Sequence, residues 1–131
     1  MKGTYILLMY LEKEACITIG KKGNISFKKG WYVYIGSALN GLESRISRHM
    51  KAMKNHHWHI DYFIDHAMIK RVYIKMGEVR EECVVASSFS EWFSYVPRFG
   101  SSDCNCVSHL FQGSKEELEE KSVQLGFGRY H

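Results

Sequence analysis

A single proline, Pro97, in 131 residues, with no serine-rich or low-complexity stretch, leaves no place for a flexible linker. The chain therefore reads as one domain over residues 1–131. It also lacks an apolar run long enough for a bilayer. The opening run Gly3–Leu11 is far shorter than the roughly 20 residues a spanning helix needs, and no signal-peptide cleavage pattern follows it. A membrane partner is not expected. With no sign of secretion, the four cysteines read as thiols or ligands of a reducing, cytoplasmic compartment rather than as two disulfides. No cysteine pair has the two-residue gap of the familiar zinc motifs.

What is present is core material and uneven charge. Hydrophobic residues make up 45% of the chain and aromatic residues 14%, enough to fill one core at this size. The net charge is +4. Residues 1–57 carry ten Lys and Arg against three Asp and Glu, whereas residues 58–131 carry eight against eleven. A basic half suits a phosphate backbone, and Lys21, Lys22, Lys28, Lys29, Arg48, Lys51 and Lys54 are its candidate contacts.

Residues 4–11 are near-continuously apolar, and residues 15–19 follow after a charged turn, a pattern of a β-hairpin. Lys21 to Asn24 is another turn. Residues 31–35 are aromatic and β-branched and end at Gly36, as a central strand would. Leu42, Ile46, Met50 and Met53 then recur at helical spacing and predict a helix over residues 42–53. Residues 57–63 fit a strand or a short helix, and residues 69–76 a strand. A second helix is expected over residues 79–95, its core stripe being Val79, Cys83, Ala86, Phe89 and Phe93, with Pro97 ending it. After the loop Gly100-Ser101-Ser102-Asp103 and an apolar segment to Phe111, Ser114-x-x-Glu117 predicts a capping box for a last helix. Strands first and helices later imply an α+β fold, a small antiparallel or mixed sheet flanked by helices.

Gly3-Thr4-Tyr5 opens the first strand and Tyr34-Ile35-Gly36 closes the central one; Ser37, Ala38 and Asn40 follow, then Arg45-Ile46-Ser47-Arg48-His49 on the next helix. This arrangement resembles the GIY-YIG nuclease superfamily. Thr4 stands where that family usually has a β-branched aliphatic residue, and one extra residue separates Gly36 from Arg45. With His57-Trp58-His59-Ile60-Asp61 and Gly100-Ser101-Ser102-Asp103-Cys104, the chain is similar to a little-characterised branch of the superfamily. The resemblance implies a metal-dependent endonuclease, with DNA favoured over RNA. It implies Tyr5 as the group activating water, Tyr34 beside it, Arg45 on the scissile phosphate with His49 nearby, and a carboxylate for Mg²⁺ or Mn²⁺ on a later helix.

The chemistry accounts for these residue types independently, since phosphodiester hydrolysis needs a base, cations for the phosphoryl oxygens and a carboxylate-held metal. Tyrosine serves as a base only if nearby positive charge lowers its ordinary pKa of about 10. Among Glu78, Glu81, Glu82 and Glu91, helical spacing puts Glu82 inside the apolar stripe, where a carboxylate requires a cation; Asp61 is the reserve. Glu82 can also be read as complementing the helix N-terminus, and each tyrosine as an ordinary strand residue.

Cys104-x-Cys106-x-x-His109 offers soft ligands for a structural zinc, with His56, His57 and His59 as further imidazoles. Alternatively these are a buried thiol pair and core histidines, or His57, His59 and Asp61 line the tyrosine cleft. Three functions stay open: a nuclease, a non-catalytic nucleic-acid-binding module, and a zinc-stabilised interaction domain. Any sequence specificity would come from this domain, a homodimer or a partner protein.

Overall fold

The computed structural model of the chain describes residues 1–51, 55–102 and 104–131. Met53, Lys54 and Asp103, singled out above, lie outside the described residues.

The opening apolar run becomes strand β1 (Gly3–Leu11), and its lack of alternation has a structural cause. It lies between β4 (Gly30–Ala38) and β5 (Met68–Met76), antiparallel to both, with side chains packed on both faces of the sheet. Tyr5, Leu7, Met9 and Leu11 enter one core, and Ile6 and Leu8 the other, as the two-residue period of a strand requires. β4 divides likewise, with Tyr32 and Tyr34 on the first face and Val33 and Ile35 on the second.

The six-stranded sheet is completed by β6 (Ser94–Tyr95), β7 (Leu110–Gly113) and β8 (Gly128–Arg129), in the order β6-β7-β4-β1-β5-β8, every pair antiparallel. The first face is covered by α1 (Leu42–Met50), α2 (His59–Ile64) and a separate ribbon of β2 (Ala15–Thr18) and β3 (Asn24–Phe27). The second is covered by α3 (Glu82–Ser90) and α4 (Lys115–Gln124). The fold is α+β, as expected.

Four expectations need correction. The hairpin of residues 4–11 with 15–19 does not form, because β4 and β5 occupy both edges of β1; β2 instead pairs with β3 across a 3-10 turn, Gly20–Lys22. In α1 the inward positions are Leu42, Ile46 and His49, while Met50 is 42% exposed. Seven residues make nearly two turns, so position 49, not 50, returns to the face of position 42. α3 is shorter than the expected 79–95: Val79 is exposed and precedes it, and Ser94–Tyr95 pair with β7 instead. Its buried stripe is Val85, Ala86 and Phe89, and Pro97 follows a strand rather than ending a helix. Residues 57–63, open between strand and short helix, become helical only from His59, where α2 begins with Trp58 as its extended N-cap. Ser114 is the N-cap of α4, its Oγ accepting from the Glu117 amide at 3.2 Å, while the Glu117 carboxylate accepts from Ser114 Oγ at 2.9 Å.

Candidate active cleft and thiol–imidazole cluster

The two tyrosines meet because of strand register. Tyr5 on β1 lies opposite Gly36 on β4, and Tyr34, two residues earlier, faces the same side. Their ring centroids are 6.5 Å apart. A β-carbon at position 36 would sit 2.3 Å from Tyr5 Cζ and Oη, so Gly36 is required by the ring that crosses it. Gly100 plays a related part from the loop before β7: its φ is +72°, and a β-carbon there would lie 3.1 Å from Tyr34 Cε1.

From α1, the buried His49 reaches the same face, its Nε2 hydrogen-bonded to the Tyr5 hydroxyl at 2.7 Å. Arg45 donates to the Ser37 carbonyl at 3.0 Å, and its guanidinium lies 4.4 Å from the Trp58 ring centroid. Arg48, one turn on, stacks on Trp58 at the same distance and grips Asp61 with both terminal nitrogens at 2.9 and 3.0 Å. Asp61 is fully buried and also accepts from the His57 and Trp58 amides. Burial acts to raise its pKa, but the Arg48 pair and the two amides outweigh it and bring the value down to about 2. Asp61 is thus committed to Arg48 and to the start of α2, which removes it as a reserve metal ligand.

Tyr5, Tyr34, Arg45 and Glu82 line one cleft of about 320 Å³ at the end of β4, together with Trp58 and Arg80. Glu82, the first residue of α3, has 18% of its side chain exposed and pairs with the largely exposed Arg80 at 3.5 Å. The lowered tyrosine pKa expected above is not found. Burial pushes both phenols well up, and Arg45 offsets only part of this. At neutral pH Tyr5 is a phenol hydrogen-bonded to His49.

A second, polar groove of about 600 Å³ opens beside the cleft and shares Asn40 and Arg45 with it. Ser44, Ser47, Arg48, Lys51 and Asn55 are among its other walls. The basic patch read from the sequence is therefore divided. Arg48 and Lys51 line the groove, although Arg48 is held by Asp61, and Lys22 acts electrostatically on His59. Lys28 and Lys29 precede β4, at the opposite end of that strand from Gly36, roughly 25 Å away at 3.3 Å per residue. Lys21 is exposed on the 3-10 turn.

The cysteine–histidine residues also sort differently from expectation. Cys104, Cys106 and His109 come together, and the fourth member is Cys83 of α3, not a histidine of residues 56–59. Their ligand atoms all lie within 4.8 Å of one another, a set able to hold a metal ion. Cys104 Sγ is 3.4 Å from His109 Nε2. Burial tends to raise the Cys104 thiol, yet hydrogen bonds from the Cys106 backbone, His109 and the neighbouring thiols bring it to about 7, while burial pushes Cys83 and Cys106 up.

His57 is exposed and edge-on to Trp58. His59 Nδ1 accepts from the Gly100 amide at 2.9 Å, tying α2 to the loop; burial, helped by Lys22, lowers its pKa. His56 stacks on Tyr62 and pairs with Asp65. Sequence reasoning missed Cys83 because its spacing matched a core stripe. The signal available was that Cys104, Cys106 and His109 supply three ligands where a tetrahedral site wants four. It also missed Trp58, which no motif spacing connects to Arg45 and Arg48.

Fold and site together define a small α+β domain with a polar cleft at one end of its sheet and a soft-ligand cluster on the cleft wall, where Cys83, Cys104 and His109 are shared. The chain belongs to the family described as Domain of unknown function DUF123, whose model matches residues 4–129. No curated protein and no solved structure matches the chain. Among the described residues, no helix is long and apolar enough to cross a membrane.

Proposed function

We propose that this domain is a metal-dependent nuclease of the GIY-YIG kind, hydrolysing phosphodiester bonds in nucleic acid, with DNA as the preferred substrate. The observation that carries this reading is the shared cleft: Tyr5 and Tyr34 from adjacent strands, Arg45 from α1 and Glu82 from α3 face one space. Those are the residue types that phosphoryl transfer to water requires.

The raised phenol pKa shapes the mechanism. In this reading Tyr5 need not be ionised beforehand: with the proton of neutral His49 on Nδ1, the Tyr5 hydroxyl donates along its 2.7 Å contact to Nε2. As the attacking water gives up a proton to Tyr5 Oη, the Tyr5 proton passes to His49, the water oxygen bonds to phosphorus and the bond to the leaving oxygen breaks. Arg45 steadies the charge on the non-bridging oxygens, and Trp58 holds its guanidinium in place. Glu82 would hold a hydrated Mg²⁺ or Mn²⁺, which when bound neutralises charge at the leaving oxygen. One carboxylate with water and phosphate oxygens suits such an ion, which would take the place of the largely exposed Arg80 beside Glu82. Oxygen donors serve that ion, so the thiols and imidazole of the cluster are left for a softer one. The groove beside the cleft, with Ser44, Ser47, Lys51 and Asn55, offers donors to the adjoining phosphates.

Mixed DNA structures incubated with the protein in Mg²⁺ or Mn²⁺ test the reading. Cleavage is expected, and Glu82→Gln and Tyr5→Phe should each slow it by about 100-fold or more with affinity nearly unchanged. Salt-sensitive binding without cleavage in either metal would replace the nuclease with a non-catalytic nucleic-acid-binding module.

A further inference from the structure

We propose that Cys83, Cys104, Cys106 and His109 bind one zinc ion, which ties the loop before β7 to the first turn of α3. This inference does not depend on hydrolysis in the cleft.

The geometry comes first. A tetrahedral zinc with Zn–S of about 2.3 Å and Zn–N of about 2.0–2.1 Å places its ligand atoms roughly 3.5–3.8 Å apart. The Cys104–His109 separation is 3.4 Å, and all four ligand atoms fall within 4.8 Å of one another. Small side-chain adjustments suffice to close that set on an ion.

The imidazole is prepared for the role. His109 is buried, and its Nδ1 lies 2.9 Å from the Ile35 carbonyl, which can only accept. Nδ1 therefore carries the proton and Nε2 presents a lone pair to the thiols, the tautomer and orientation of a zinc-ligating histidine.

The loop is prepared as well. Arg98 has an uncommon positive φ of 59°, and its guanidinium donates to the carbonyls of Ser101, Cys104 and Cys106 at 2.6, 3.0 and 2.7 Å. One side chain thus sets the backbone of both loop cysteines. It also balances charge: Zn²⁺ displaces three thiol protons to solvent, and three thiolates with one Zn²⁺ leave a net charge of −1 beside that guanidinium. Sulfur-rich donors favour zinc over the oxygen-seeking Mg²⁺. A disulfide between two of these thiols would strand the third thiol and the histidine, which nothing in the arrangement explains.

Binding has a structural consequence. Cys83 adjoins Glu82 in the chain, and three of the four ligands line the cleft. Zinc would fix the cleft wall on which Glu82 stands.

Metal analysis of the full chain purified without chelator should find about one zinc per chain. After chelation and reloading with Co²⁺, thiolate-to-cobalt absorption and the visible bands of a tetrahedral ion should appear. Cys83→Ser and Cys106→Ser should each weaken Co²⁺ binding by about tenfold or more, and Cys16→Ser should not. Chelation should speed amide exchange at residues 98–102 and 104–109 at least about tenfold, with β1 unaffected. A failure of Cys83→Ser to fold would leave the parent's stoichiometry and spectrum as the deciding measurements. No zinc and no cobalt band, iron in its place, a disulfide among these cysteines, or full Co²⁺ binding by a folded Cys83→Ser variant would each overturn the proposal. Zinc bound without any nuclease activity would sink only the reading of the cleft.

Discussion

Replacing Asp61 by Asn keeps the shape of the side chain and removes the charge that holds α1 to α2. The wild-type carboxylate is fully buried and accepts four hydrogen bonds, two from Arg48 and one each from the amides of His57 and Trp58. Breaking a buried ion pair on one side costs about 3–5 kcal/mol, because the other charge is left uncompensated. Arg48 keeps 27% of its side chain in water, its bond to the Asn55 carbonyl and its stacking on Trp58, so the lower end, about 3 kcal/mol, is expected. The pH dependence checks this independently. Folding lowers the Asp61 pKa from 3.8 to about 2, which corresponds to about 2 kcal/mol. A depressed folded value means that this contribution is complete above pH 4 and is lost as pH falls towards 2. Urea unfolding of parent and Asp61→Asn should thus differ by about 3 kcal/mol at pH 7, with the gap narrowing by about 2 kcal/mol between pH 4 and 2. A gap under about 0.5 kcal/mol at pH 7, or one constant across that acid range, would refute the claim that the buried pair locks the two helices.

Gly36→Ala should lower stability by about 1–3 kcal/mol in thermal or urea unfolding, since the new methyl meets the Tyr5 ring; in a Tyr5→Ala background most of that cost should vanish, and equal costs in both would disprove the clash. Nucleic-acid binding should weaken with added salt, and Lys51→Ala should reduce both affinity and the salt slope. Lys28→Ala with Lys29→Ala, at the far end of β4, should change neither, and the reverse pattern in a salt titration would move the interface away from the groove.

The elements that announced themselves did so through local physics. β1 followed from its apolar run, β4 from its aromatic and β-branched run, α1 from its helical spacing, and the start of α4 from Ser114 and Glu117, because pleat, periodicity and capping each act within a few residues. The convergence of Tyr5, Tyr34 and Arg45 was foreseeable as well, since strand ends and the helix that follows them share one edge of a sheet. Elsewhere local pattern gave way to competition between distant segments.

The sequence by itself determined that β1, β4 and β5 extend, where α1 and α4 begin, that helices flank the sheet, and which tyrosines and arginine stand at the cleft. Only the tertiary structure decided that β1 takes β4 and β5 and leaves β2 to β3, that Arg48 answers Asp61, and that Cys83 joins Cys104, Cys106 and His109. The division has one physical reason. Periodicity records the side of an element that is buried, whereas a pairing partner, a counter-ion or a fourth ligand is chosen by whichever group, however far along the chain, packs against that side at the lowest free energy.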